Sequence, residues 1–296
     1  MGFSRTNLFK RLESGGPAFI QSIDRHILRN YIFLHAIAQN LDLPIGTQEA
    51  ALLDSRNNDE DAESLLAALL NPEEEEIELN TEAVLDQAEV DYQHRAAAVY
   101  QLYVNRYQRR FKWIQPGLFK PSLKKDLQAD ARALTAVLSQ HGKWMAKRDT
   151  KLAALVELLT KRHSHEKVLV FTQFADTVRY LTDELKRLDL DKVEGVTGNS
   201  ENPAAIAWQF SPISNHKPIP KSEELRVLIA TDVLSEGLNL QDCAIIVNYD
   251  LPWAIIRLIQ RAGRVDRIGQ KAETILCYSF LPAEGVERII RLRGRL

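Results

Sequence analysis

The sequence predicts an α/β fold: a mostly parallel sheet with helices on both faces over residues 149–296, preceded by a largely helical region over residues 1–148. Two observations carry that expectation. From Lys167 onward, short apolar runs rich in valine and isoleucine alternate with amphipathic stretches, the pattern of βα units whose strands are buried on both faces. Before Asp149 such runs are scarce, and apolar residues recur at helical spacing instead.

Residues 18–40 carry Phe19, Ile23, Ile27, Ile32, Leu34 and Ile37 with arginines between, which suits a helix with a wide buried face. Residues 54–78 are acidic, interrupted only by the Leu/Ala segment 65–70. This stretch, extending to about residue 80, reads as a mobile linker; an acidic docking site for a basic partner is the alternative. A long helix is expected over residues 82–113, its end interleaving Tyr100, Tyr103, Tyr107 and Phe111 with Arg106, Arg109, Arg110 and Lys112. Such a stripe could stack on bases and hold phosphates. The same spacing serves a helix packed on a core, which is the preferred reading. Pro116 and Pro121 close the helix.

Strands are expected at residues 167–172, 191–196, 226–231, 244–249 and 274–281. The helix after the first would turn Val178, Leu181, Leu185 and Leu188 inward and leave Arg179, Asp183, Glu184 and Lys186 outside. Residues 211–224, with three prolines, read as a surface loop. Asp250-Leu251-Pro252-Trp253 leads from the fourth strand into a helix, with Pro252 suited to its first turn. Residues 286–296 look like a further helix.

Bulk properties set mild bounds. The 296 residues give room for one large domain or two small ones. A formal net charge of −2 excludes attachment to nucleic acid by global charge, so binding would rest on local patches. Two cysteines, Cys243 and Cys277, in apolar strand-like runs make a disulfide framework unfavoured and suggest a reducing cytoplasm. There is no zinc spacing, His163 and His165 read as residues of a solvated turn, and no metal ligands are expected in this chain. No apolar run approaches the roughly 20 residues of a membrane span, and a signal-peptide core is absent, so no membrane partner is expected.

The chemistry concentrates in two places. Arg257, Arg261, Arg264 and Arg267 would share one broad face of a helix, with only Asp266 nearby to relieve their repulsion. The cluster is either a solvated basic face or the dock for an anion with several oxygens, since the guanidinium fork suits phosphate. Gly263 and Gly269 favour the second, as glycine there suggests a sharp stop or a close backbone approach. Upstream, the run Val227 to Ala230 ends abruptly in Thr231-Asp232, a pair that taken alone reads first as a helix N-cap, though in open α/β sheets ligands also bind at that end of the strands.

Residues 260–270, Q-R-A-G-R-V-D-R-I-G-Q, resemble motif VI of the superfamily-two helicases, in the R-I-G-Q form typical of Swi/Snf-type ATPases. Residues 226–240, R-V-L-I-A-T-D-V-L-S-E-G-L-N-L, resemble motif V, with Asn239 where many relatives carry aspartate. K-V-L-V-F-T at residues 167–172, followed by Gln173-Phe174, resembles motif IV. The resemblance covers residues 149 to about 281 and implies a RecA-like C-terminal motor lobe. It implies that Arg264 and Arg267 reach the nucleotide phosphates, the latter as an arginine finger. It places Gln260, Gly237 and Asn239 near ATP, and Thr172, Gln173, Thr231 and Asp232 near a nucleic-acid backbone. One departure is visible: Ala204, Ala205 and Ile206 stand in a helix where relatives usually carry an arginine.

No G-x-x-x-x-G-K-[ST] and no D-E-x-H or D-E-x-D after an apolar strand is present. ATP and Mg²⁺ are therefore expected to be held mainly by an N-terminal RecA-like lobe outside this sequence, in a longer protein or on a partner chain. This chain alone is expected to be inactive. Its opening S-R-T-N-L-F-K-R-L-E-S-G resembles the helical stretch joining the two lobes in bacterial Swi/Snf-type proteins. The implied function is the second lobe of an ATP-driven translocase, with double-stranded DNA favoured as its track. The alternative is a non-catalytic RecA-like module that binds nucleic acid or a protein.

Overall fold

The computed structural model describes residues 2–46, 81–141, 144–198, 200–232 and 238–290. The acidic stretch expected as a linker lies outside the described residues. The chain forms two compact units, one of Ile20–Lys143 and one of Met1–Phe19 with Trp144–Leu296.

The first unit contains most of α2 (Gly16–Ala38), together with α3 (Thr81–Arg106) and α4 (Leu123–His141). Ile23, Ile27, Leu28 and Ile32 of α2 are buried, as their spacing requires. The long helix expected to reach Trp113 stops at Arg106. Beyond a short 3₁₀ turn the chain extends as β2 (Phe111–Ile114), which pairs antiparallel with β1 (Leu43–Gly46). Of the aromatic stripe, Tyr100 is core, its hydroxyl donating to the Asp42 carbonyl at 2.8 Å; Tyr103, Tyr107 and Phe111 are half-buried, the Tyr103 and Phe111 rings 4.5 Å apart.

The second unit is built on five parallel strands in the order β4-β5-β3-β6-β7: β3 (Val168–Phe171), β4 (Val193–Val196), β5 (Val227–Ala230), β6 (Ile245–Asn248) and β7 (Leu276–Ser279). Each lies inside the stretch expected from the sequence. Alternation sends Val168 and Val170 to one face, against Leu155 and Leu159 of α5 (Thr150–Glu157) and its continuation, and Leu181 and Leu185 of α6 (Ala175–Arg187). Leu169 and Phe171 go to the other, against Phe210 of α7 (Pro203–Phe210) and Val265. Both faces are covered, so the three central strands are buried at every position and apolar except for Asn248, each buried apolar side chain contributing about 1.5–3 kcal/mol.

α5 starts where Asp149 accepts the backbone N–H groups of Lys151 and Leu152, both at 3.0 Å, and α7 starts where Asn202 accepts that of Ala205. Three local expectations are corrected. α6 ends at Arg187, which leaves Leu188 in its cap, 52% exposed. Pro252 lies before rather than within the first turn of α8 (Ile255–Ala262), whose cap is Ala254. His163 is buried, with Nε2 2.9 Å from the Tyr278 hydroxyl. The last described helix is α9 (Glu284–Ile290). Among the described residues no helix is long and apolar enough to cross a membrane.

Candidate functional site

Register builds the site. Phe171 pairs with Ala230 on one side and Asn248 on the other, so three strands end level. Two residues beyond each end come Gln173, Asp232 and Asp250. They gather polar groups at the carboxyl edge of the sheet, the usual ligand edge of parallel α/β folds.

Thr172 and Thr231, one residue past their strands, are fully buried. The Thr172 hydroxyl donates to the Asp250 carboxylate, which also accepts the Gln173 N–H at 2.9 Å, while Gln173 Nε2 donates to the Leu251 carbonyl at 2.7 Å. Motif IV is therefore tied into the strand-end network, and its hydroxyl and amide point inward rather than to the surface. Thr231 Oγ1 is buried with no hydrogen-bond partner among the described residues.

α8 inverts the usual amphipathic rule. Ile255, Ile256 and Ile259 are exposed, whereas the Arg261 side chain is only 2% exposed. Arg261 forks onto Asp232, Nε to Oδ1 at 2.6 Å and a terminal nitrogen to Oδ2 at 3.1 Å. Its other terminal nitrogen donates to Asn248 Oδ1 at 3.0 Å and to the Asp250 carbonyl at 3.2 Å, and the guanidinium lies 5.2 Å from the Phe171 ring centre. Such a planar donor set suits a bidentate carboxylate partner. Arg257 reaches the same carboxylate at 3.4 Å. The four arginines thus do not share a helical face. α8 stops at Ala262, Gly263 caps it, and Arg264 and Arg267 leave from the turns that follow. Asp232, on a neighbouring strand end, meets the charge of Arg257 and Arg261.

Arg264 is half-buried; Arg267 is exposed, with Nε donating to the Gly263 carbonyl at 3.0 Å. Gln260 is exposed on α8. Gln270 pins the far end of the turn by donating to the carbonyls of Cys243 (2.9 Å) and Val265 (3.1 Å), and Gln241 donates to that of Ile268 at 2.8 Å. Gly269 has φ of +102°, a conformation glycine adopts readily. Asn239 lies on the segment entering the amino end of β6, opposite to Thr231 and Asp232. Its side chain donates to the Ser214 carbonyl at 3.3 Å. The loop at 211–216 is packed there, its backbone N–H groups at Ile213 and Ser214 donating to Asp242. Gly237 lies outside the described residues.

The sequence reading missed Arg261 and Asp250, the two residues that organise the network. Their signal was positional: Asp250 follows its strand at the same offset as Asp232, and Arg261 bonds the carboxylate of one and the backbone carbonyl of the other. Among the described residues no group of His, Cys, Asp and Glu could hold a metal ion.

Residues 150–269 match the helicase conserved C-terminal domain. Similar curated proteins from Bacillus subtilis (strain 168) include the uncharacterized ATP-dependent helicase YqhH, 33% identical over 142 residues (48% of this chain, 23% of that protein). The ATP-dependent RNA helicase DbpA is 28% identical over 159 residues (53% and 30%). The chain spans less than a third of the length of these two relatives. Among solved structures, the C-terminal part of the Fun30 ATPase domain aligns at 18% identity with a TM-score of 0.44, over 92% of this chain and 85% of that one. The match takes in the segments that resemble motifs IV and V and all but the last residue of the one that resembles motif VI.

Proposed function

We propose that the chain is the second motor lobe of a cytoplasmic ATP-dependent translocase of the Swi/Snf type, moving on double-stranded DNA. The observation that carries the proposal is the division of labour among the motif VI arginines. Arg261 is buried in the strand-end network, while Arg267 stands exposed on the turn that follows. The helicase C-terminal match over this segment supports the reading. An N-terminal lobe would hold ATP and Mg²⁺; Arg264 and Arg267, with Gln260, would meet the phosphates from this side. Bound there, ATP supplies phosphoryl transfer, and an arginine placed against its developing charge accelerates that step by about 10³–10⁵. Lobe closure and release would convert this into steps along the duplex. The R-I-G-Q ending favours a DNA track. A second track has an observation behind it: several relatives are named as RNA helicases, among them DbpA of Bacillus subtilis and DBP8 of Candida glabrata.

The test is ATP turnover by the chain joined to its N-terminal lobe, with duplex DNA or single-stranded RNA as stimulant. Arg267→Ala is expected to cut turnover by at least about 10³-fold with little change in ATP affinity, since the finger acts on charge present only in the transition state. Arg267→Lys should restore little, because a point ammonium lacks the planar fork. The chain alone should not turn over ATP. Near wild-type turnover by Arg267→Ala would overturn the assignment, and stimulation by RNA alone would overturn the DNA track. A joined protein that binds nucleic acid but never hydrolyses ATP would leave the non-catalytic module standing.

A further inference from the structure

The helix α1 (Gly2–Ser14) is held to the parallel-sheet unit largely by polar side chains that are themselves buried: Lys10, Arg11, Glu13 and Ser14. Glu13 Oε1 accepts the Leu251 N–H at 3.1 Å, and its other oxygen pairs with Lys10. Lys10 in turn donates to the Leu251 carbonyl. One helical turn therefore grips both polar groups of one residue, the N–H through a carboxylate and the C=O through an ammonium. Ser14 Oγ donates to Asp250 Oδ2 at 2.6 Å and lies 2.7 Å from Thr177 Oγ1 and 3.3 Å from Thr172 Oγ1. Lys151 Nζ donates to the carbonyls of Glu13 (2.6 Å) and Ser14 (3.2 Å), acceptors that a helix end leaves without intrahelical partners. Arg11 reaches Asp176 at 3.4 Å and covers the Phe174 ring.

Buried ion pairs hold structure no better than apolar packing of equal volume, because desolvation offsets their attraction. What this arrangement adds is direction. Leu251 and Asp250 form the entry to α8, and the Asp250 carbonyl accepts from Arg261. Leu251 packs with Phe9 of α1, Trp253 and Leu258 of α8, and Val286 of α9. A continuous set of contacts thus runs from α1 through the Asp250–Leu251 backbone to the arginine helix.

We propose that Lys10, Glu13 and Ser14 are positioning residues that fix the Asp250–Leu251 backbone, so that α1 sets the placement of α8 and of the arginine turn behind it. The functional meaning rests on the motor-lobe reading: α1 would be the lever through which motion of the inter-lobe connection reaches the arginines. Its test needs no ATP, so failure of one reading is separable from failure of the other.

The experiment is amide hydrogen exchange by mass spectrometry on the 296-residue chain. In Ser14→Ala and Glu13→Ala, peptides spanning residues 250–262 should exchange about tenfold faster, while those of β3 and β5 keep wild-type protection. Glu13→Gln retains an acceptor for the Leu251 N–H and should recover most of the protection. The double variant K10E/E13K restores an oppositely charged pair but reverses its polarity toward Leu251, and should recover none. Should Glu13→Ala fail to fold, Ser14→Ala, which loses one hydroxyl, carries the comparison. Unchanged exchange at residues 250–262, a rise spread evenly over every strand, or full recovery in the reversed pair would each overturn the proposal.

Discussion

Arginines that look alike in the sequence do opposite things. Arg261 is an interior residue whose charge is met by Asp232, Asn248 and the Asp250 carbonyl, whereas Arg267 is exposed and bonds only its own turn through Nε. Arg261→Ala should therefore destabilise the lobe by about 3–5 kcal/mol, since it breaks a buried pair and strips Asp232 of its bidentate partner. Arg267→Ala, a surface change, should stay within about 0.5 kcal/mol. Urea denaturation of the two variants decides the matter, and equal midpoints would show that Arg261 does not hold the strand-end network together. Asp232→Asn leaves Arg261 its bonds to Asn248 and the Asp250 carbonyl at a carboxylate site already 22% exposed, so its cost should fall between the two.

Among the elements, β4 shows how closely helix and sheet are fitted. A Cβ added at Gly195 would lie 2.5 Å from Thr182 Oγ1 and 2.9 Å from Val178 Cγ1, both on α6. Gly195→Ala should cost about 1–3 kcal/mol by overpacking, and Thr182→Ala should relieve part of that cost in the double variant. Gly117→Ala, in open space, is the matched control; a loss there as large as at Gly195 would remove packing as the cause. The three central strands were legible because burial on both faces leaves a nearly unbroken apolar run, while β4 and β7 at the sheet edges are only partly buried. The β1–β2 pair was not: Leu-Pro-Ile-Gly has no alternation, and its partner Phe111–Ile114 reads as the tail of a helix. α8 misled for a physical reason. Isoleucines outside and an arginine inside invert the rule by which a helix face is assigned, so the arginine spacing was clear while its geometry was not. α1 was assigned with the helical region, but it clusters with the parallel sheet, because the groups it meets at Asp250 and Leu251 lie at the other end of the chain. Thr172 and Gln173 lie at the carboxyl edge of the sheet; that Asp250 and Leu251 take up their polar groups depends on the register of β6 against β3, which no local pattern encodes.

On the scale of the whole chain, the two thiols report how far the interior is closed. Cys243 is buried where β6 begins, its Sγ 3.1 Å from the carbonyl oxygens of Lys167 and Ile245, and burial pushes it up to about 12. Cys277 on β7 is exposed. Treatment with an aromatic disulfide reagent at pH 8 should label one thiol promptly and the other only as the protein unfolds, and Cys277→Ser should abolish the prompt phase. The same burial fixes the pH dependence. Because the folded value of Cys243 lies above the unfolded value of about 8.5, its contribution to stability is fully present below pH 8.5 or so and is lost as pH climbs toward 12. Tyr31 and Tyr103, pushed up to about 12 by burial from about 10, act in the same direction. Stability should hold through neutral pH and fall on the alkaline side, with a shallower fall in Cys243→Ala between about pH 8.5 and 10, where the thiol alone among these groups would ionise in the unfolded chain. If both thiols react together in the native protein, or if Cys243→Ala leaves the alkaline slope unchanged, the lobe opens at β6 far more freely than its packing indicates.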